Sequence, residues 1–131
     1  YLDWARRNFV LNDIHGDHRL VRANCSQWLV EQAGAKPKPQ FDLIFLDPPT
    51  FSNSKKMDEA FDIQKDHVPL IRNAAALLAP GGNLYFSTNF RRFKMDQEAL
   101  SDWGIEDISA KMIPEDFARD AKIHYCWRIS R

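Results

Sequence analysis

The sequence predicts an α/β fold with a Rossmann-like sheet that is mostly parallel and ends in an antiparallel pair of strands. Residues 41–47 form an apolar run that stops at an aspartate and two prolines, which is typical of a buried parallel strand covered on both faces. Residues 63–78 then carry apolar side chains at helical spacing, and a second apolar strand follows at 83–88. A strand-helix-strand crossover is right-handed in about 98% of cases, so we expect these two strands to be parallel.

The other elements are predicted from their local patterns. They are, in order, a helix at 2–11, a strand at 18–23, a helix at 25–33, a turn-rich connector at 34–40, a short helix at 96–103, and strands at 105–109 and 123–129. We expect the crossover helix to run to about residue 79, because Gly81 and Gly82 permit the left-handed stop that ends a helix. Pro69 fits either the first turn of a helix from Asp66 or a kink in a longer helix from Asp58.

Composition indicates one compact domain of a cytoplasmic protein. The 131 residues contain 18 Lys and Arg and 18 Asp and Glu, so bulk charge gives no argument for nucleic acid. No segment approaches the roughly 20 apolar residues that cross a membrane, and no signal-peptide pattern opens the chain. Cys25 and Cys126 are isolated thiols that suit a reducing compartment, and neither they nor the histidines show metal-ligand spacing.

The turn Asp47-Pro48-Pro49-Thr50-Phe51 is the strongest functional signal in the chain. In open α/β sheets the ligand crevice lies beyond the carboxyl ends of the strands, where this turn falls. The prolines end the ladder and fix the backbone, so that an acceptor at Asp47 and a stacking ring at Phe51 face a set direction. The alternatives are a surface turn with an aspartate cap and, for Phe51, a core position.

Basic residues follow both strands of the crossover. Lys55 and Lys56 come after the first strand, and Arg91, Arg92 and Lys94 come after the second. Because carboxyl ends of parallel strands meet at one edge of the sheet, we expect these side chains to rim one crevice and to bind RNA phosphates. The alternative is an ordinary solvated loop surface.

The sequence lacks the glycine-rich turn that a nucleoside cofactor requires. None of the five glycines forms a G-x-G turn between a strand and a helix, and no acid ends a second strand to hold ribose hydroxyls. The chain also opens with a helix, whereas a parallel sheet normally begins with a strand. We therefore expect residues 1–131 to be the C-terminal portion of a single cofactor-binding domain, truncated before its third strand.

Residues 1–9, 47–57, 93–96 and 123–127 together resemble one family, the C-terminal methyltransferase module of the bacterial bifunctional 23S ribosomal RNA guanine methyltransferase. The similarity runs over essentially all 131 residues, and the run D-P-P-T-F-S-N-S-K-K-M is its most specific part. It implies a seven-stranded sheet, S-adenosylmethionine (SAM) as cofactor, guanine N7 of 23S ribosomal RNA as the methyl acceptor, and cytoplasmic localisation. It also implies that an upstream part of the same polypeptide supplies the glycine loop and the ribose-binding acid.

The resemblance also implies site residues. The catalytic set would be Asp47, Pro48, Pro49 and Phe51, and the cofactor-binding set would be Asn24, Cys25 and Asp47. Family members usually carry Asp-Cys where this chain has Asn24-Cys25, and the amide oxygen of Asn24 is expected to pair with the adenine amine. The exposed sheet edge of the isolated chain, which we expect to be inactive, should favour self-association.

Two other functions remain open at this stage. A related family makes 5-methylcytosine in ribosomal RNA, but cytosine C5 requires prior attack by a thiolate. Neither residues 47–49 nor residues 83–89 contain a cysteine, and Cys25 and Cys126 are interpreted as packing thiols. Guanine N7 has a free lone pair and no proton to remove, so purine methylation needs no base and Asp47 would act as a positioning acceptor. The isolated chain would alternatively be a noncatalytic RNA-contacting fragment.

Overall fold

A computed structural model describes residues 1–52, 60–120 and 122–131. The helices are α1 (Leu2–Leu11), α2 (Cys25–Gly34), α3 (Ile63–Ala75) and α4 (Ser109–Met112), with a 3-10 turn at Glu115–Phe117. The strands are β1 (Phe41–Leu46), β2 (Phe51–Ser52), β3 (Phe61–Asp62), β4 (Leu78–Thr88), β5 (Gly104–Asp107) and β6 (Tyr125–Ser130). None of the helices in the described ranges has the length and apolar character to cross a membrane.

Four strands form one mixed sheet in the order β1-β4-β6-β5. β1 and β4 are parallel, as the crossover predicts, and β6 runs antiparallel to both β4 and β5. The α/β class and the antiparallel C-terminal pair are therefore confirmed. β2 and β3 form a separate antiparallel ladder of two residues each, which leads the chain from the proline turn back to α3.

The core lies between α3 and the sheet. Ile63 and Ile71 of α3 and Leu84 and Phe86 of β4 are all fully buried. The Phe86 ring lies 5.9 Å from that of Trp127 on β6, so aromatic packing joins the two central strands. These apolar contacts fix where β1 and β4 end, and therefore where the proline turn is displayed.

The expectation that both faces of β1 are covered is wrong for the residues that the structure describes. Leu43 and Phe45 are 64% and 68% exposed, whereas Leu46 on the opposite face is 8% exposed. β1 is the edge strand of the described sheet, and α3 covers one face only. An apolar run at an edge therefore does not by itself mean that a strand has cover on both sides.

The crossover helix is shorter than predicted. It begins at Ile63, where the carboxylate of Asp62 accepts the backbone N–H of Gln64 at 2.9 Å, and it ends at Ala75. Pro69 lies inside this helix, so neither of the predicted helix starts is correct. Gly81 does have a left-handed φ of 79°, but it lies within β4, where a shift in register with β1 takes the place of a helix stop.

Two predicted elements are absent from the described structure. Residues 18–23 form no strand, because a strand requires a ladder partner and no described strand pairs with them. Residues 96–103 form turns in place of a helix, since the carboxylate of Asp96 bonds the N–H of Ala99 and the following bonds span only three residues. A short segment of this kind gains too few bonds to offset the cost of helix nucleation.

Candidate active site

Asp47 lies directly beyond the carboxyl end of β1, and β4 holds its carboxylate in place. The hydroxyl of Ser87 donates a hydrogen bond to Oδ1 of Asp47 at 2.6 Å. Ser87 is 3% exposed, so this donor is itself fixed by packing. Oδ2 receives no hydrogen bond from the described residues, so it can accept one from a ligand.

The proline turn separates two cavities, and Asp47 lines both. The first, which we call the α2 cavity, has a volume of about 730 Å³ and is bounded by residues 22–26, by the turn, and by Phe61 and Leu70. The second, the β4 cavity, has a volume of about 650 Å³ and lies on the side of the turn where Asn89 and His124 are found. One carboxylate therefore faces two spaces that are each large enough for a small ligand.

Asn24 and Cys25 lie in the wall of the α2 cavity, and their role in cofactor binding stays a prediction. The Oδ1 atom of Asn24 accepts the N–H of Gln27 at 3.2 Å as the N-cap of α2, which leaves its second lone pair and its amide N–H groups to meet a ligand. The pairing of the amide oxygen with an adenine amine stays a prediction. Cys25 is exposed, so its interpretation as a packing thiol is wrong, whereas Cys126 is buried as expected. Partial desolvation raises the pKa of the Cys25 thiol, which favours the neutral form.

Thr50 and Asn89 connect the proline turn to the end of β4. The hydroxyl of Thr50 donates to Oδ1 of Asn89 at 3.1 Å, and both residues line the β4 cavity. Phe51 begins β2 and is 57% exposed, so it is not a core residue. Its predicted stacking role stays a prediction, because Phe51 is not among the described residues that line either cavity.

The basic residues after β4 are not equivalent. Arg91 forms a two-point ion pair with Asp120, with N–O distances of 2.9 and 3.2 Å. This guanidinium lowers the pKa of the Asp120 carboxyl. Arg92 and Lys94 are exposed. Lys55 and Lys56, the other predicted RNA contacts, lie outside the described residues.

Helix α3 fixes the backbone of this basic loop. The side-chain amide of Gln64 accepts the N–H of Lys94 and donates to its carbonyl oxygen, each at 2.9 Å. His67, which is 2% exposed, accepts the N–H of Asp96 at 3.1 Å through Nε2. The loop is therefore held at two points, and its side chains project from a defined backbone.

The sequence patterns pointed to Asp47, its prolines and the loop cations, but not to the residues that lie around Asp47 in the structure. Ser87, Asn89 and His124 are brought to the turn from distant parts of the chain, with Ser87 40 residues from Asp47. Polar residues at the end of β4 were the available signal, since parallel strands end at the same edge of a sheet. To predict that His124 lies beside the turn, the order of the strands in the sheet would also have to be known.

The arrangement of helices and strands in this chain is similar to that of known structures. The chain aligns with the SAM-dependent methyltransferase from Agrobacterium tumefaciens with a TM-score of 0.72 and 14% identity, over 98% of this chain and 45% of the other. A second structure, SMU.776 complexed with SAH, aligns with a TM-score of 0.77 and 21% identity, over 97% of this chain and 35% of the other. The fold is therefore that of SAM-dependent methyltransferases.

Sequence similarity leads to a particular group of proteins. The chain is 56% identical over 130 residues to the ribosomal RNA large subunit methyltransferase K/L of Saccharophagus degradans, and 51% identical over 130 residues to that of Pseudomonas aeruginosa. These matches cover 98% and 99% of the chain. The chain spans 17% of the length of these curated relatives. No protein-family model matches it.

Proposed function

We propose that this chain is part of a SAM-dependent methyltransferase that transfers a methyl group to guanine N7 in 23S ribosomal RNA. The observation that supports this most directly is the position of Asp47 between two cavities. A methyl donor in one cavity and a base in the other would meet at the proline turn. The similarity to the large-subunit methyltransferases indicates the RNA substrate.

The residues of the α2 cavity fit a nucleoside cofactor. The amide nitrogen of Asn24 can donate to an adenine ring nitrogen, while Phe61 and Leu70 offer an apolar wall. SAM supplies an electrophilic methyl group on a sulfonium sulfur. An upstream part of the same polypeptide is proposed to complete the site with the glycine loop and the acid for the ribose.

Positioning is the main task of this site. Bound SAM would supply the methyl group and keep the electron pair of the broken sulfur–carbon bond on sulfur, while the lone pair of N7 would form the new bond to carbon. No proton moves, so a general base is not required. Alignment of two bound reactants lowers such barriers by up to roughly 7–11 kcal/mol. Asp47, oriented by Ser87, would align the base by accepting its N1–H.

The thiols argue against the alternative of cytosine C5 methylation. That reaction needs a thiolate that adds to C6 of the ring. Burial raises the pKa of Cys126, and the charges of Asp107 and Asp47 raise it further. Partial desolvation also raises the pKa of the Cys25 thiol, although this residue is exposed. Both shifts favour the neutral thiol over the thiolate that cytosine C5 methylation needs.

Arg92 and Lys94 are proposed to contact RNA phosphates, because they are exposed in a loop that follows directly from the β4 cavity. Lys55 and Lys56 are proposed for the same role from sequence position alone. The open edge of β1 and its uncovered face, where Leu43 and Phe45 are exposed, are proposed to be covered by the upstream segment or by a second copy of the chain. Sedimentation of the 131-residue chain at increasing concentration would measure the self-association.

Substitution of Asp47 tests the proposal. In the full-length protein we expect Asp47→Ala to abolish methyl transfer to 23S ribosomal RNA while leaving the melting temperature within a few degrees of wild type. The reason is that Asp47 lies at an exposed strand end and adds little to the core. Mass spectrometry of the digested RNA would identify the methylated base. Wild-type turnover in Asp47→Ala, or a product other than 7-methylguanine, would contradict the proposal.

A further inference from the structure

The β4 cavity contains an unmatched hydrogen-bond donor that the methyl-transfer role of Asp47 does not use. Thr50 occupies Oδ1 of Asn89, and the amide nitrogen of Asn89 makes no hydrogen bond with the described residues. Asn89 is exposed, and it lines the cavity together with Asp47 and His124. The hydroxyl of Thr50 therefore orients the Asn89 amide, and the amide N–H groups can bind a ligand.

We propose that Asn89 is a specificity-determining residue that donates a hydrogen bond to O6 of the target guanine; this rests on the proposed function above. O6 lies beside N7 on the same edge of guanine, so a donor at O6 holds N7 at a fixed distance from the methyl group. Adenine carries an amine at that position. An Asn89 amide would then face another donor, and a donor that the bound base shields from water without offering an acceptor is unfavourable.

Asp47 and Asn89 together offer the complement of guanine. Oδ2 of Asp47 can accept from N1–H, and the amide of Asn89 can donate to the neighbouring O6. Each group is oriented by a hydroxyl from the other strand end: Ser87 donates to Asp47 at 2.6 Å, and Thr50 donates to Asn89 at 3.1 Å. Side chains fixed in this way lose little freedom when the base binds, which favours discrimination between bases.

Base analogues in the target RNA test this assignment. The full-length protein would be assayed on RNA carrying guanine, inosine or 2-aminopurine at the target, since inosine keeps O6 and 2-aminopurine lacks it. We expect Asn89→Ala to lower kcat/KM about ten-fold or more on guanine and on inosine. On 2-aminopurine it should change kcat/KM less than two-fold, because no bond to O6 is there to lose.

Variants of Thr50 provide an independent measurement. Thr50→Val should lower activity on guanine in the same direction as Asn89→Ala, and Thr50→Ser, which retains the hydroxyl, should restore it. Asn12→Ala, at the C-cap of α1, serves as the matched control for loss of an exposed asparagine. SAM affinity and melting temperature, measured for every variant, separate a specificity effect from loss of folding.

The outcomes separate this inference from the proposed function. If the wild-type protein forms no 7-methylguanine, both are overturned. If it does, and Asn89→Ala keeps full activity on guanine or loses activity equally on all three bases, only the role of Asn89 is overturned. A loss confined to bases that carry O6 supports it.

Discussion

Ser87 and Asp47 illustrate how a buried hydroxyl can orient an exposed carboxylate. Ser87 is 3% exposed, so packing within β4 fixes the direction of its hydroxyl. The hydrogen bond from this hydroxyl then fixes the position of the Asp47 carboxylate. Asp47 could be predicted from the sequence because the change from apolar residues to an acid and two prolines is local. Ser87 could not be predicted, because its contact depends on the register between β1 and β4.

Removal of this hydroxyl should therefore impair catalysis more than folding. In the full-length protein we expect Ser87→Ala to lower kcat/KM about ten-fold, since a hydrogen bond to a charged group contributes roughly 1.5–3 kcal/mol. SAM affinity should stay close to wild type. Ser101→Ala, in an exposed turn before β5, is the matched control. Equal activity of the two variants would show that Asp47 is oriented without Ser87.

From the ion pair between Arg91 and Asp120 we can predict how the Asp120 carboxyl responds to pH. Arg91 lowers the pKa of the Asp120 carboxyl first through its hydrogen bond and then through its charge. A carboxyl whose folded pKa is depressed stabilises the fold above its unfolded pKa, and this contribution is lost as pH falls through the folded pKa. Asp120 is partly exposed, with 38% of its side chain accessible, so the effect on stability should be small.

An NMR titration of the side-chain carboxyl measures this directly. The pKa of Asp120 should lie below the usual aspartate value in wild type and should rise in Arg91→Ala. Asp116, an exposed aspartate nearby in the sequence, gives an internal reference. If the Asp120 titration is the same in both proteins, Arg91 does not form a persistent pair and is available for RNA.

At the scale of elements, the register shift between β1 and β4 depends on Gly82. A Cβ atom at this position would lie 2.9 Å from the carbonyl oxygen of Phe41 and 3.0 Å from that of Asp42. Both are backbone atoms that cannot rotate away. Gly81 differs, because its φ of 79° is unfavourable for other residues but its surroundings are open.

These two glycines should therefore differ in their response to alanine. We expect Gly82→Ala to lower the free energy of unfolding by about 2–4 kcal/mol, and Gly81→Ala by about 1 kcal/mol from backbone strain alone. Gly34→Ala, at the end of α2 with open space around it, should be neutral or slightly stabilising. Urea unfolding of the three variants would measure this order, and an equal loss at Gly81 and Gly82 would contradict it.

The elements that were predicted correctly are those whose signals are local. The helix at residues 2–11 matches α1 because its pattern is continuous, and the crossover of β1 and β4 follows from two apolar strands around an amphipathic helix. The glycine pair at 81–82 was misread as a helix stop, since a glycine with positive φ also suits a strand irregularity. The prediction of a strand at 18–23 was wrong, because strand propensity in the sequence does not ensure that a partner strand is present.

For the molecule as a whole, the charge is balanced but its placement is not. Arg92 and Lys94 project from a loop that Gln64 and His67 hold at the same edge as Asp47. A fixed cationic rim can meet RNA phosphates without first becoming ordered. Because Arg91 is paired with Asp120, Arg92 and Lys94 should make the larger contribution to RNA affinity.

The dependence of RNA affinity on salt measures this contribution. Each phosphate neutralised on a single strand adds about −0.7 to the slope of log affinity against log salt. We expect Arg92→Ala with Lys94→Ala in the full-length protein to make the slope shallower by about 1.4, with SAM affinity unchanged. A control with Lys36→Ala and Lys38→Ala changes two lysines that precede β1, at the opposite edge of the sheet. Equal slopes in the two double variants would remove the loop from the RNA interface.

The strand order also determines when the sheet can close during synthesis. β6 lies between β4 and β5, although β5 precedes it in the chain. As the chain leaves the ribosome at roughly 5–20 residues per second, residues 104–107 must wait on the order of a second or more for residues 125–130. During that interval β5 has no partner in the described sheet, and one edge of β4 is open. The nascent protein is then most exposed to mispairing with a neighbouring chain, and slow codons between β5 and β6 would prolong that exposure.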